Sequence, residues 1–206
     1  MIRRGRGDGR LRHDSELGVH VDRSDYILFS GGAPGAEAEF GAQAERCAIE
    51  EVNFGFEGHV AVRSRGLRIL NHEELKAGDV SLAYVSQLMN RRYTDTPTFR
   101  KVLQSIWYQV NAGQEIFVVG TILPDTHVKG GTGWGAEFAK LCNKPLHVFD
   151  QDKSAWFTWN DRAWVERSGT DLPLIRHAHF TGTGTRTLTE AGAQAIASLF
   201  SRSFPA

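Results

Sequence analysis

Three segments of this chain repeat one design: a short apolar run, a turn of small residues, then a stretch with helical spacing. They begin near Tyr26, Glu115 and His177. Tyr26-Ile27-Leu28-Phe29 leads into Ser30-Gly31-Gly32. Glu115 to Thr121 leads, through a loop, into Gly130-Gly131-Thr132-Gly133. His177-Ala178-His179-Phe180 leads into a Gly/Thr turn over 181–185. Apolar runs of four to eight residues bounded by glycine predict buried strands. The segments that follow carry helical patterns, over 35–51, from the second Gly turn to about Asn143, and over 187–203. A further amphipathic helix is predicted over 98–111, where Phe99, Val102, Leu103, Ile106, Trp107 and Val110 recur at three- and four-residue steps. Strands alternating with helices imply a mainly parallel sheet with helices on both faces. The expected fold is α/β, a single Rossmann-like domain over 23–206, behind a flexible basic tail over 1–22.

Smaller features complete the outline. Leu146 to Phe149 reads as another strand, and Trp156 to Val165 as a hairpin around Asn160-Asp161. The stretch 52–80 reads as short strands and loops. Five arginines (Arg3, Arg4, Arg6, Arg10, Arg12) crowd the first twelve residues. Cys47 and Cys142 each fall in a predicted helix and read as small buried hydrophobes in a reducing compartment.

Composition narrows the function. Among 206 residues, 24 Lys and Arg balance 24 Asp and Glu. Zero net charge disfavours nucleic-acid binding by bulk electrostatics. No apolar run approaches the roughly 20 residues of a membrane helix, and the N-terminus lacks the apolar core of a secretory leader. A cytoplasmic protein without membrane contact is expected.

Ligands of open parallel sheets bind beyond the carboxyl ends of the strands, where all three turns fall. Each turn opens a helix, whose free N–H groups and dipole favour an anion. Ser30, Gly31, Gly32 and Gly35, then Gly130, Gly131, Thr132 and Gly133, then Gly184, Thr185 and Arg186 are therefore the expected phosphate-binding residues. The chain has no P-loop motif, and Ser30 to Gly35 does not match the dinucleotide fingerprint. Arg186 at a helix start opposes the dipole, so a ligand or an acidic partner is expected for it. Glu37 and Glu137, in first helical turns, also read as acids that complement the dipole by about 0.3–1 kcal/mol. His177 and His179 lie two apart on a strand and read as structural; no histidine has metal-ligand spacing, so no metal is expected. Trp156, Trp159 and Trp164 read as a cover for the core or as a subunit contact.

Lys129-Gly130-Gly131-Thr132-Gly133-Trp134-Gly135-Ala136-Glu137 resembles the P-G-G-x-G-T-x-x-E motif of Lonely-Guy phosphoribohydrolases. Lys129 replaces its Pro and Trp134 its Thr. Ser30 to Glu37 resembles the S-G-G-x-x-G-x-D/E turn of the wider SLOG superfamily, which includes molybdenum-cofactor carrier proteins and DprA-like domains. Lys144-Pro145 before a strand and Gly184-Thr185-Arg186 after one fit the same pattern. The resemblance runs from about Tyr26 to Phe200 and leaves 52–98 unmatched. It implies a Rossmann-like fold that binds a nucleotide-like or phosphorylated small molecule, as a carrier or sensor, and a homo-oligomer. It leaves the particular ligand or cofactor open. One alternative it implies is a nucleotide N-glycosidase using Glu137 and an arginine: Arg100 by likeness to the hydrolases, Arg91 or Arg92 by likeness to the carriers. The other is a DprA-like DNA-binding domain.

Overall fold

A computed structural model of the chain describes residues 22–93 and 96–205. The expected basic tail lies, up to residue 21, outside the described residues. The strands are β1 (Ile27–Ser30), β2 (Glu50–Phe56), β3 (Leu67–Leu70), β4 (Glu115–Gly120), β5 (Leu146–Asp150), β6 (Ala155–Trp159), β7 (Trp164–Arg167) and β8 (His179–Gly184). The helices are α1 (Ala36–Arg46), α2 (His72–Lys76), α3 (Asp79–Leu88), α4 (Pro97–Ala112), α5 (Thr132–Leu141) and α6 (Glu190–Ser203). All eight strands form one sheet, in the order β3-β2-β1-β8-β4-β5-β6-β7. The first six are mutually parallel; β6 and β7 form the expected hairpin and pair antiparallel.

The central strand β4 shows why the sheet needs two covers. Every one of its residues is buried. Successive side chains point to opposite faces. Ile116 and Val118 therefore join Leu103, Ile106 and Val110 of α4 and Phe138 of α5. Phe117 and Val119 join Phe40 of α1 and Ile196 and Phe200 of α6. A strand covered on both sides reads as an unbroken apolar run, as this one does. Phe40, Phe117, Phe180 and Phe200 are fully buried, each contributing roughly 1.5–3 kcal/mol through area removed from water. The fold is thus α/β, Rossmann-like and doubly wound.

Several expectations need correction. The Gly/Thr stretch 181–184 is not a turn: it is the body of β8, hydrogen-bonded between β1 and β4. Its glycines make room for α1, since a Cβ at Gly182 would lie 2.4 Å from the Phe40 ring. The strand also begins at His179 rather than His177. The first helix ends at Arg46, where Cys47 closes it and Ala48 takes a left-handed φ of 56°. The rest of the segment given to it enters β2. The stretch 52–80 is more regular than expected, holding most of β2, then β3, α2 and the start of α3. Cys47 and Cys142 sit just past the helix ends rather than inside them; Cys47 is half-buried and Cys142 exposed. Among the described residues, no helix is long and apolar enough to cross a membrane.

Candidate functional site

From β1 the chain steps outward to β2 and β3, and from β4 it steps the other way to β5, with β8 between the two halves. The winding direction reverses there, which opens a crevice at the carboxyl ends of the central strands. A cavity of about 680 Å³ lies in it. Its lining includes Lys129 to Thr132 from the β4–α5 loop and Thr183 to Arg186 from the end of β8. Glu37 of α1, His59, and Phe99, Ser105 and Gln109 of α4 complete the walls, with Asp152 at the rim.

The middle Gly loop is built to be empty. Gly130 has φ 72°, a conformation that glycine adopts without strain, and a Cβ there would meet nothing within 4 Å. At Gly131 the nearest atom would be on the Phe99 ring at 3.5 Å. Helix α5 starts here with no side-chain cap; the N–H groups of Gly133 and Trp134 donate to the Gly130 and Gly131 carbonyls at 3.3 and 3.0 Å, which leaves those of Gly130, Gly131 and Thr132 without an acceptor among the described residues. Lys129 adds an exposed cation at the mouth. Behind the loop, Arg91 Nη1 donates to the carbonyls of Val128 at 3.4 Å and Gly130 at 3.3 Å. The arginine braces the loop by its backbone. Uncapped N–H groups, a helix dipole and a lysine on open space are what an oxyanion requires.

The first Gly turn is built differently. Ser30 is fully buried and donates to the Gly182 carbonyl at 2.7 Å. Gly35 has φ 91°, and a Cβ would lie 2.5 Å from the carbonyl oxygens of Thr185 and Arg186. Glu37 turns back into the turn. Its Oε2 accepts the Ala33 N–H at 3.1 Å and its Oε1 accepts the Thr183 hydroxyl at 2.8 Å. A Cβ on Gly31 would sit 2.6 Å from Glu37 Oε2 and 2.5 Å from Gln109 Nε2. The protein's own carboxylate thus fills the place where this turn would hold an anion. Ser30, Gly31, Gly32 and Gly35 do not line the cavity.

Glu37 is only 6% exposed, yet it lines the cavity. Burial pushes its carboxyl above the usual range; the bonds from Thr183 and Ala33, and the positive charge of Arg186, pull it partly back. His59, which also faces the cavity, is held below the ordinary imidazole value by burial and by the same arginine, both favouring its neutral form. Gln109 is 1% exposed and its Oε1 has no partner. Arg186 is exposed at the cavity wall with Gly184 and Thr185.

The remaining sequence candidates lie elsewhere. Gly133 faces away from the cavity, where a Cβ would lie 2.0 Å from the Val128 carbonyl oxygen. Glu137 is buried and bonded to Lys140 at 2.7 Å, with His127 Nε2 at 4.0 Å. Lys140 in turn packs over Trp159 at 4.0 Å and Trp164 at 4.9 Å. Two of the three hairpin tryptophans therefore hold α5, and Trp156 is buried in the core beneath α1 and α6. Arg100 pairs with Asp79 at 2.5 Å and stacks over Tyr93. It lines a separate cavity of about 690 Å³ between α2 and α4. Arg92 is exposed and lines none of these cavities. Glu137, Arg92 and Arg100 are not brought together. His147 bonds Thr158 and Glu115 across the sheet, a structural role. Among the described residues, no group of three His, Cys, Asp or Glu could hold a metal.

Sequence reasoning missed Lys129, Thr183, Gln109, His59 and Phe99 as wall residues. Glu37 stood in the quoted motif, but its acidity had a sufficient explanation in the helix dipole.

Fold and site together define an α/β protein with a ligand-sized cavity at the carboxyl edge of a doubly wound sheet. No family model matches the chain, and no curated protein matches it. Among solved structures, it is similar to a candidate molybdenum carrier protein from Syntrophus aciditrophicus. The two are 14% identical over 89% of this chain and 96% of that one, with a TM-score of 0.48.

Proposed function

We propose that this protein binds a phosphate-bearing, nucleotide-like small molecule in the 680 Å³ cavity, as a carrier or sensor. The observation that carries the reading is the empty, uncapped start of α5. There the N–H groups of Gly130, Gly131 and Thr132 have no acceptor among the described residues and line the cavity with Lys129 and Arg186. The exposed Phe99 ring and the neighbouring Val102 and Ile106 give an apolar wall for the uncharged part of such a ligand. The cavity falls in the size range of small-molecule sites. A carrier or sensor is favoured over an N-glycosidase of the Lonely-Guy kind because the expected catalytic pair, Glu137 with Arg92 or Arg100, does not converge on the cavity.

The test is a thermal-shift panel of nucleoside mono-, di- and triphosphates, cyclic nucleotides and pterin phosphates, with chromatography of each hit. The reading expects a rise in melting temperature with the ligand recovered intact. Released free base would establish hydrolysis instead, and no shift with any phosphate compound would count against the site.

A further inference from the structure

The cavity proposed to take an anion at the start of α5 also carries a carboxylate, Glu37, on its wall. That conflict points to how the site chooses its ligand. Glu37 reaches the wall from α1, and its neighbours come from every element packed against it. Thr183 of β8 and the Ala33 N–H of the first turn donate to it. Gln109 of α4 lies beside it. Arg186 after β8 acts on it by charge. His59 after β2, Lys129 and Asp152 face the same space. Arg186 and Lys129 bring two positive charges to the cavity, and these cannot neutralise both Glu37 and a dianion.

We propose that Glu37 is the specificity-determining residue of this cavity: an anion enters together with one proton, shared between the Glu37 carboxyl and the ligand oxygen facing it. The ligand class that follows is an oxyanion able to carry that proton, a phosphate or phosphomonoester, in preference to a fully ionised group such as sulfate. A carboxylate cannot accept a hydrogen bond from sulfate, which has no proton at neutral pH, and two anions close together in one cavity repel. A phosphate brings its own proton and turns that repulsion into a hydrogen bond. Burial, which already favours the protonated form of Glu37, lowers the cost of holding the proton there. No bond is made or broken; one proton is taken from solvent when the ligand arrives without it.

This proposal rests on the anion-binding reading of the cavity, and sulfate and inorganic phosphate separate the two. Binding of each is measured by calorimetry from about pH 5 to pH 9 on the wild-type chain and on Glu37→Gln. Sulfate stays unprotonated throughout, so linkage predicts that its affinity for the wild type falls roughly tenfold per pH unit once Glu37 ionises. In Glu37→Gln that slope disappears, sulfate binds more tightly than to the wild type at pH 8, and the preference for phosphate shrinks. His59 is present in both proteins, so the comparison isolates the contribution of Glu37. Should Glu37→Gln fail to fold, the wild type alone suffices: sulfate binding from about pH 5 to pH 9, each in two buffers of different ionisation enthalpy, should show proton uptake that rises toward one as Glu37 ionises. Equal pH profiles in the two proteins, or no proton uptake, would overturn the role of Glu37 while leaving an anion site. Absence of binding by both anions at every pH would remove the anion site and the proposal with it.

Discussion

Glycines in one motif do opposite things, and single substitutions separate them. Gly131→Val projects into the cavity, its Cβ no closer than 3.5 Å to any neighbour. It should abolish anion binding and leave the melting temperature within a few degrees. Gly133, two residues on, packs against the Val128 carbonyl, and a Cβ would lie 2.0 Å from that oxygen. Gly133→Ala should cost about 1–3 kcal/mol of stability through overpacking, measured by denaturant titration. Glu137→Ala gives a third outcome. It should leave binding intact, because Glu137 is outside the cavity, and cost about 1–3 kcal/mol by leaving Lys140 without its buried partner. The two acids Glu37 and Glu137 look alike in sequence, each within the first turns of a helix after a glycine turn. Which one meets the cavity depends on how α1 and α5 pack against the sheet, and no local pattern carries that information.

Among the elements, α4 is the one that locks the halves of the molecule together. Its C-terminal carbonyls are closed by a residue from the loop between α5 and β5: Lys144 Nζ donates to Val110 at 2.7 Å, Asn111 at 2.9 Å and Gly113 at 2.6 Å. Lys144→Met keeps the aliphatic stem but strands these acceptors, and should cost about 1–3 kcal/mol. The Lys-Pro pair was legible in the sequence only as part of a resemblance; here it has a mechanical reason. At the other end of α4, Asp79 accepts from Tyr93, Gln104 and Arg100. Burial alone would raise its carboxyl, but these bonds together hold it below the usual value. The stability this gives is fully present above the ordinary aspartate pKa, near 4, and is lost as pH falls through the lower folded value. Asp79→Asn should therefore flatten the acid limb of the stability curve, as read from melting temperatures across that range. Strands β1, β4 and β5 and helix α4 were legible because their apolar spacing matches their burial. Helix α3 was not, because Val80, Tyr84 and Leu88 face solvent and leave no clean apolar stripe. The second half of strand β8 was read as a turn from Gly182 and Gly184, whose purpose is to admit Phe40 and Ala36 of α1.

At the scale of the whole molecule, the fold gathers two glycine turns and the end of β8 onto one sheet edge and then uses them unequally. The β1 turn is closed by Glu37, the end of β8 supplies Arg186, and only the start of α5 offers open N–H groups. The sequence made the edge legible, since parallel strands followed by Gly turns must place those turns together. It could not reveal the division of labour, which is set by side chains crossing between elements. The account therefore turns on whether an anion binds at the start of α5. The most direct test is a thermal shift with a phosphate ligand at 100 times its dissociation constant, on the wild-type chain and on Gly131→Val. The wild type should gain about 2.7 kcal/mol and Gly131→Val nothing; an equal gain in both proteins would place the ligand elsewhere and contradict the account.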